Sequence, residues 1–149
     1  MALRQIRLFD DEILRKKSKI VEVVDDKIRQ ILNDMADTMY YKNGGGLAAP
    51  QVGILKRLVV IDMGQGLIKL VNPKIIEHEG NQEVIEGCLS IPNILGKLKR
   101  PAKVTVQALN ENNEEIILTG KGDLAKCFCH EIDHLEGILF TDLVTEYVN

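Results

Sequence analysis

Apolar positions in this chain repeat first with a helical period, then with a strand period, then with a helical period again. After Asp25-Asp26, residues Ile28, Ile31, Leu32, Met35 and Met39 fall at i, i+3, i+4, i+7 and i+11. That spacing predicts an amphipathic helix of about four turns with one buried face. Asp25 or Asp26 is its N-cap, and the glycines from Gly44 stop it near Lys42-Asn43. Upstream, Asp10 to Lys16 predicts a short helical turn capped by Asp10 or Asp11. The basic run Arg15 to Lys19 reads as a solvated surface. Leu58 to Ile61 is a short apolar strand. Leu67 to Asn72 and Lys74 to His78 read as strands flanking Pro73, which belongs at an edge or bend. Gln82 to Ile85 follows as another strand. Lys103 to Leu109 and Glu115 to Leu118 form a pair joined by the polar turn Asn110-Glu111-Asn112-Asn113. Gly122-Asp123 opens a last helix, with Asp123 as N-cap, and Gly137 ends it. Leu124, Cys127, Phe128, Glu131 and Leu135 share one face. Apart from Lys126, Asp133 and Glu136 the helix is apolar most of the way round, which predicts burial.

The chain has 149 residues, 45% of them hydrophobic, enough for one domain over 1–149 with a core of its own. A net charge of −3, 4% aromatics and no Trp leave no footprint for nucleic-acid binding. No stretch approaches the ~20 apolar residues that span a membrane, and the N-terminus lacks the apolar run of a signal peptide. Cys88, Cys127 and Cys129 are odd in number and fit free thiols in a reducing compartment, so the cytoplasm is expected.

Two of the three histidines stand in His130-Glu131-Ile132-Asp133-His134. Imidazoles at i and i+4 sit about 40° apart round a helix at roughly 100° per residue, spaced to grip one metal ion. Glu131 flanks that face, placed to handle a proton on water beside the ion. A catalytic site needs three protein ligands and an open position. Downstream of His134 there is no His, Glu136 points away, and Asp142 and Glu146 stay open but come late in the chain. Cys88, after Gly87 at a tight strand end, is the better third ligand. A Cys/His/His set suits Zn or a softer redox-active ion such as Fe(II). Cys127 reads as pocket wall, Cys129 as filler and His78 as surface. The run Gly44-Gly45-Gly46-Leu47-Ala48-Ala49-Pro50-Gln51 reads as a substrate-lining segment, because small residues let another backbone come close.

Gly44 to Gln51, Glu86-Gly87-Cys88-Leu89-Ser90 and His130 to His134 together resemble the three signature motifs of bacterial peptide deformylases, in order and spacing. The similarity covers nearly the whole chain. It implies an α+β fold, with partly open antiparallel sheets packed around a buried C-terminal metal-binding helix and an N-terminal amphipathic helix. It implies Cys88, His130 and His134 as ligands of one divalent ion, Fe(II) by preference, with Zn, Ni or Co as substitutes. Glu131 would be the general acid/base. The Gln51 side-chain amide and the Leu89 N–H would stabilise the oxyanion. The substrate would be an N-formyl-methionyl nascent polypeptide, lying as a strand along Gly45, Gly46 and Gly87. Its Met side chain would lie near Gly44, Leu124 and Cys127. The chain departs from the family pattern at Gly45, where a branched apolar residue is usual, at Cys129, where Gln is usual, and at Asp123, where Leu is usual. Many relatives continue past the position of Asn149 into another helix, so a ribosome contact through that helix is expected to be weakened here.

Overall fold

A computed structural model describes residues 2–148. Two helices and eight strands follow in the order β1 (Gly46–Ala48) after α1 (Asp26–Tyr41), then β2 (Leu58–Ile61), β3 (Ile68–Glu79), β4 (Gln82–Cys88), β5 (Ile91–Arg100), β6 (Lys103–Leu109), β7 (Glu115–Lys121), α2 (Asp123–Leu135) and β8 (Glu146–Val148). Short 3-10 turns occupy Glu12–Arg15, Ala49–Val52 and Phe140–Asp142. The strands form two antiparallel sheets. One is ordered β1-β2-β3-β6-β7 and the other β4-β5-β8. The expected α+β class is what the chain adopts.

The larger sheet is covered on both faces, and strand alternation shows how. Leu58 and Val60 of β2 join Leu47 and Val71 against Ile28, Ile31, Leu32, Met35 and Met39 of α1. Val59 and Ile61 point the other way and join Ala48 and Leu70 against Ala125, Phe128, Ile132 and Leu135 of α2. That is why β2 is an unbroken apolar run rather than an alternating one. The smaller sheet has its own cluster. Val84, Ile91 and Leu98 pack under Leu14, Leu139 and Phe140.

The helix ends follow the expected chemistry with one exception. Asp25 caps α1, accepting from the Ile28 N–H, and Asp11 does the same for Ile13 at the first 3-10 turn. At α2 the cap position falls on Gly122, and Asp123 is the first helical residue, with no side-chain cap. Its carboxylate adds favourable charge at the helix start instead.

Three further expectations change. The two strands expected between Leu67 and His78 are one long strand, Ile68–Glu79, because Asn72 (φ 53°) and Pro73 make a bulge where the pairing with β6 slips rather than stops. The Asn72 side chain there accepts from the Val21 N–H and donates to the Val21 carbonyl, and Arg57 donates to the Pro73 carbonyl. Ile91–Arg100 is a ten-residue strand where none was expected. Glu146–Val148 adds a short edge strand on β5.

Gly137 closes α2 with φ +75°, and a Cβ there would fall 2.5 Å from the Arg15 carbonyl oxygen. Gly64 shares the positive φ (+106°) but has nothing within 4 Å of the same point. Gly137→Ala should therefore lose at least about 2 kcal/mol, or roughly 4–8 °C in Tm, and Gly64→Ala clearly less. Equal losses in thermal unfolding would show that the approach of Arg15 to the helix end contributes nothing.

Candidate active site

The end of β4 and the middle of α2 meet in the interior. β4 and β5 are joined by the turn Leu89-Ser90, and the pairing slips between Glu86 and Cys88. Glu86 and Cys88, two residues apart, share a face of the strand, and both meet α2. α2 supplies His130 and His134 from one face, as their spacing requires. The ligand atoms of Cys88, His130 and His134 lie within 4.8 Å of one another, and Cys88 Sγ is 3.4 Å from His134 Nε2. His130 and His134 are 8% and 1% exposed, whereas Cys88 is half-buried at the cleft floor. The spacing and the S/N/N donor set fit one tetrahedral divalent ion with an open fourth position.

A buried ion cluster sets the histidine ring. Glu86, 3% exposed, receives two hydrogen bonds from Arg100, at 2.7 and 3.0 Å. Its Oε1 also lies 2.7 Å from His130 Nδ1, which leaves Nε2 as the ligand atom. Arg100 reaches on to Asp133 at 2.7 Å, one turn along α2. Phe140 stacks on the same imidazole at 6.0 Å between ring centroids. Burial pushes Glu86 up, but the bonds from Arg100 and His130 outweigh it and hold the carboxyl down at about 2. At His130 burial pulls the pKa down, yet Glu131, Cys88 and Glu86 raise it well above the ordinary value. Burial, then the neighbouring His130, holds His134 well below its ordinary value. His134 is thus in the neutral form that binds a metal.

Glu131 lies beside this centre, 4% exposed, with Oε2 4.0 Å from His130 Nε2. Its Oε1 is buried without a hydrogen-bond partner among the described residues, as is His134 Nδ1. Burial pushes the Glu131 carboxyl up to about 7. A carboxyl poised there can take and give a proton near neutral pH. Gly46 is what makes room for it, since a Cβ at that position would fall 2.6 Å from Glu131 Oε2 and 2.9 Å from Cys127 Sγ. Gln51, buried, is held at both ends. Its Oε1 accepts from the Ala48 N–H, and its Nε2 donates to Ser90 Oγ at 3.1 Å and approaches Cys88 Sγ at 3.4 Å.

A cleft of about 650 Å³ opens over these groups. Gly44, Gly45, Gly46, Gln51, Gly87, Cys88, Leu89, Cys127, His130 and Glu131, all singled out in the sequence, line it. Leu124 does not. It packs over Gly120 of β7, because the first turn of α2 faces the larger sheet. Cys127 donates to the Gly45 carbonyl at 3.7 Å and burial pushes its thiol far up; it lines the cleft wall, outside the converging group of Cys88, His130 and His134. Burial likewise lifts Cys129 to about 11. The open alternatives for the third ligand lie elsewhere. Asp142 is paired with Arg15 at 2.6 Å, and Glu146 sits on β8 near Lys97. His78 is exposed.

Sequence reasoning missed the Glu86–Arg100–Asp133 cluster. Its one linear signal was a glutamate two residues before the candidate cysteine. The reading also missed Met63, Lys126, Ile94, Leu95 and Val148 at the cleft rim.

A buried H-E-x-x-H helix and a thiol from a strand end, with three ligand atoms converging beside a cleft, are the arrangement of a metal-dependent hydrolase. The profile of the polypeptide deformylase family matches residues 3–148. Peptide deformylase 2 of Clostridium acetobutylicum is 76% identical over 149 residues, covering 99% of each chain. The peptide deformylase of Acetivibrio thermocellus is 60% identical, covering all of this chain and 88% of its own. The crystal structure of peptide deformylase from Thermotoga maritima superposes with a TM-score of 0.95 at 38% identity, covering 97% of this chain and 99% of the other. The chain belongs to the polypeptide deformylase family, enzymes that use a divalent metal ion to remove the N-formyl group from newly made polypeptides.

Glu86→Gln keeps the size of the side chain but weakens its grip on Arg100 and on His130 Nδ1. Metal affinity should fall about 10–100-fold, read by chelator competition. An unchanged affinity would mean that other contacts orient the His130 ring.

Proposed function

We propose that Cys88 Sγ, His130 Nε2 and His134 Nε2 hold one divalent ion, Fe(II) by preference with Zn, Ni or Co as substitutes, and that Glu131 is the general acid/base of deformylation. A bound ion would supply Lewis acidity to the formyl carbonyl and to water. The observation that carries this reading is the buried Glu131 carboxyl, whose Oε1 has no hydrogen-bond partner among the described residues, beside three converging ligand atoms.

The remaining steps belong to side chains and main chain. Glu131 accepts a proton from the attacking water and delivers it to the amine nitrogen as the formyl C–N bond breaks. The Gln51 amide, held against Ser90, turns its second N–H toward the formyl oxygen as that oxygen gains charge. The Leu89 N–H, in the β4–β5 turn, donates from the other side. The substrate backbone enters as an added strand. β1 is the edge of one sheet and β4 the edge of the other, and the cleft runs between them past Gly45, Gly46 and Gly87. Main-chain pairing of this kind is largely indifferent to side chains, as a processor of many sequences requires. The formylated Met would lie over Gly44 and Cys127.

A zinc endopeptidase reading needs a third ligand after His134. The two carboxylates available for that are engaged by Arg15 and Lys97. We place the activity in one catalytic domain acting in the cytoplasm, close to the ribosome that supplies the substrate. The three free cysteines support a reducing compartment.

The protein, purified without oxygen and loaded with Fe(II), Ni or Zn, should release formate from formyl-Met-Ala-Ser. No formate from any of the three forms would end this reading. Glu131→Ala should keep its metal and lose about 10²–10⁴-fold in kcat. Full activity in that variant would remove Glu131 from the mechanism. Cys88→Ala should lose the metal, whereas stoichiometric metal by elemental analysis would point to another third ligand.

A further inference from the structure

The cleft wall beside β1 lacks a side chain at Gly45, and Met63 fills the space. The backbone at Gly45 does not demand glycine, since its φ lies outside the left-handed region. A Cβ there would instead fall 2.6 Å from Met63 Sδ and 3.8 Å from Met63 Cε. Both residues line the cleft. The turn that carries Met63 is braced. Tyr40 donates to Asp62 Oδ2 at 2.6 Å, the Gly64 N–H to Asp62 Oδ1 at 2.9 Å, and the Met63 N–H to Gln65 Oε1 at 3.1 Å. The Asp62 N–H in turn donates to the Gly45 carbonyl at 2.9 Å, tying the turn to the glycine. The main chain under Met63 is therefore fixed. Its side chain, 37% exposed, is left free to move on its outer side.

Strand alternation says which substrate side chain meets it. The Cβ direction of Gly46 runs toward Glu131 and Cys127, into α2. That of Gly45 runs to the opposite face. A peptide paired alongside alternates in the same way. If the formylated residue lies over Cys127, the next side chain turns toward Met63.

We propose that Met63 is a specificity-determining residue, an adjustable wall that replaces a side chain at position 45 and contacts the second residue of the substrate. The proposal rests on the deformylase reading above. A thioether on three rotatable bonds follows substrates of different shape, so the wall favours apolar second residues without requiring one size.

The test uses the metal-loaded enzyme with formyl-Met-Leu-Ser and formyl-Met-Ala-Ser. The wild type should prefer Leu over Ala in kcat/KM. Met63→Ala should reduce that preference about three- to tenfold, the loss carried by KM, and Met63→Leu should retain it. Gly45→Val should collide with the thioether and lower kcat/KM about tenfold. Gly45→Val with Met63→Ala should recover most of that loss, a coupling expected only of touching residues. An unchanged Leu/Ala ratio in Met63→Ala, or additive effects of the two substitutions, would overturn the proposal while leaving an active wild type in place. A wild type that releases no formate from either peptide would instead overturn the deformylase reading on which it stands.

Discussion

The site depends on one buried carboxylate. Glu86 accepts from Arg100 twice and meets His130 Nδ1 with the same oxygen that receives one of those bonds. A carboxylate and a guanidinium each about 95% or more buried would be costly alone. Together, with Asp133 completing the guanidinium's contacts, they lock β4, β5 and α2 into one arrangement. The contact of Nδ1 with Glu86 then sets the direction of the His130 ring and leaves Nε2 toward Cys88 and His134. Cys88, two residues beyond Glu86, takes its position from the same strand end. One cluster thus orients candidate ligands from two elements and ties the sheet β4-β5-β8 to the helix.

The second constraint is the sandwiching of β2. Its alternate residues feed two separate apolar clusters, one under α1 and one under α2. α2 is pinned against a sheet whose edge strand, β1, is only three residues long and begins at a glycine. The small residues there let Glu131 and Cys127 approach the strand, and the unpaired edge remains facing the cleft. Packing that stabilises the fold and geometry that admits an extended peptide are consequences of the same short strand.

Much of this was legible in the chain. The helical spacing of Ile28 to Met39 marked α1 within a residue or two, and Leu58 to Ile61 marked β2. The pair His130 and His134 announced itself by i, i+4 spacing and by the scarcity of histidine elsewhere. β5 was not legible. It carries Pro92, Gly96 and three basic residues between 97 and 100, and its middle is exposed. Its strand character comes from pairing with β4 rather than from an alternating pattern of its own. β1 and β8 are too short to show a period. Glu86 belongs to a different class of omission. Its partners lie 14 and 44 residues away, and nothing local marks a glutamate as buried until those partners are found in space. Helical phase put Leu124 on the face of Cys127, and in the structure its side chain packs over Gly120 of β7.

The proposed site is one sulfur and two imidazole nitrogens from this chain around an ion, with a position left open. X-ray absorption at the metal edge of the Zn- or Fe(II)-loaded protein measures that shell directly. The Zn form should show one sulfur at about 2.3 Å and two nitrogens at about 2.0–2.1 Å, with the remaining shell filled by light solvent atoms. The sulfur contribution should vanish from any metal retained by Cys88→Ala. A shell of nitrogen and oxygen alone in the unmodified protein, or one with two sulfurs, would contradict it.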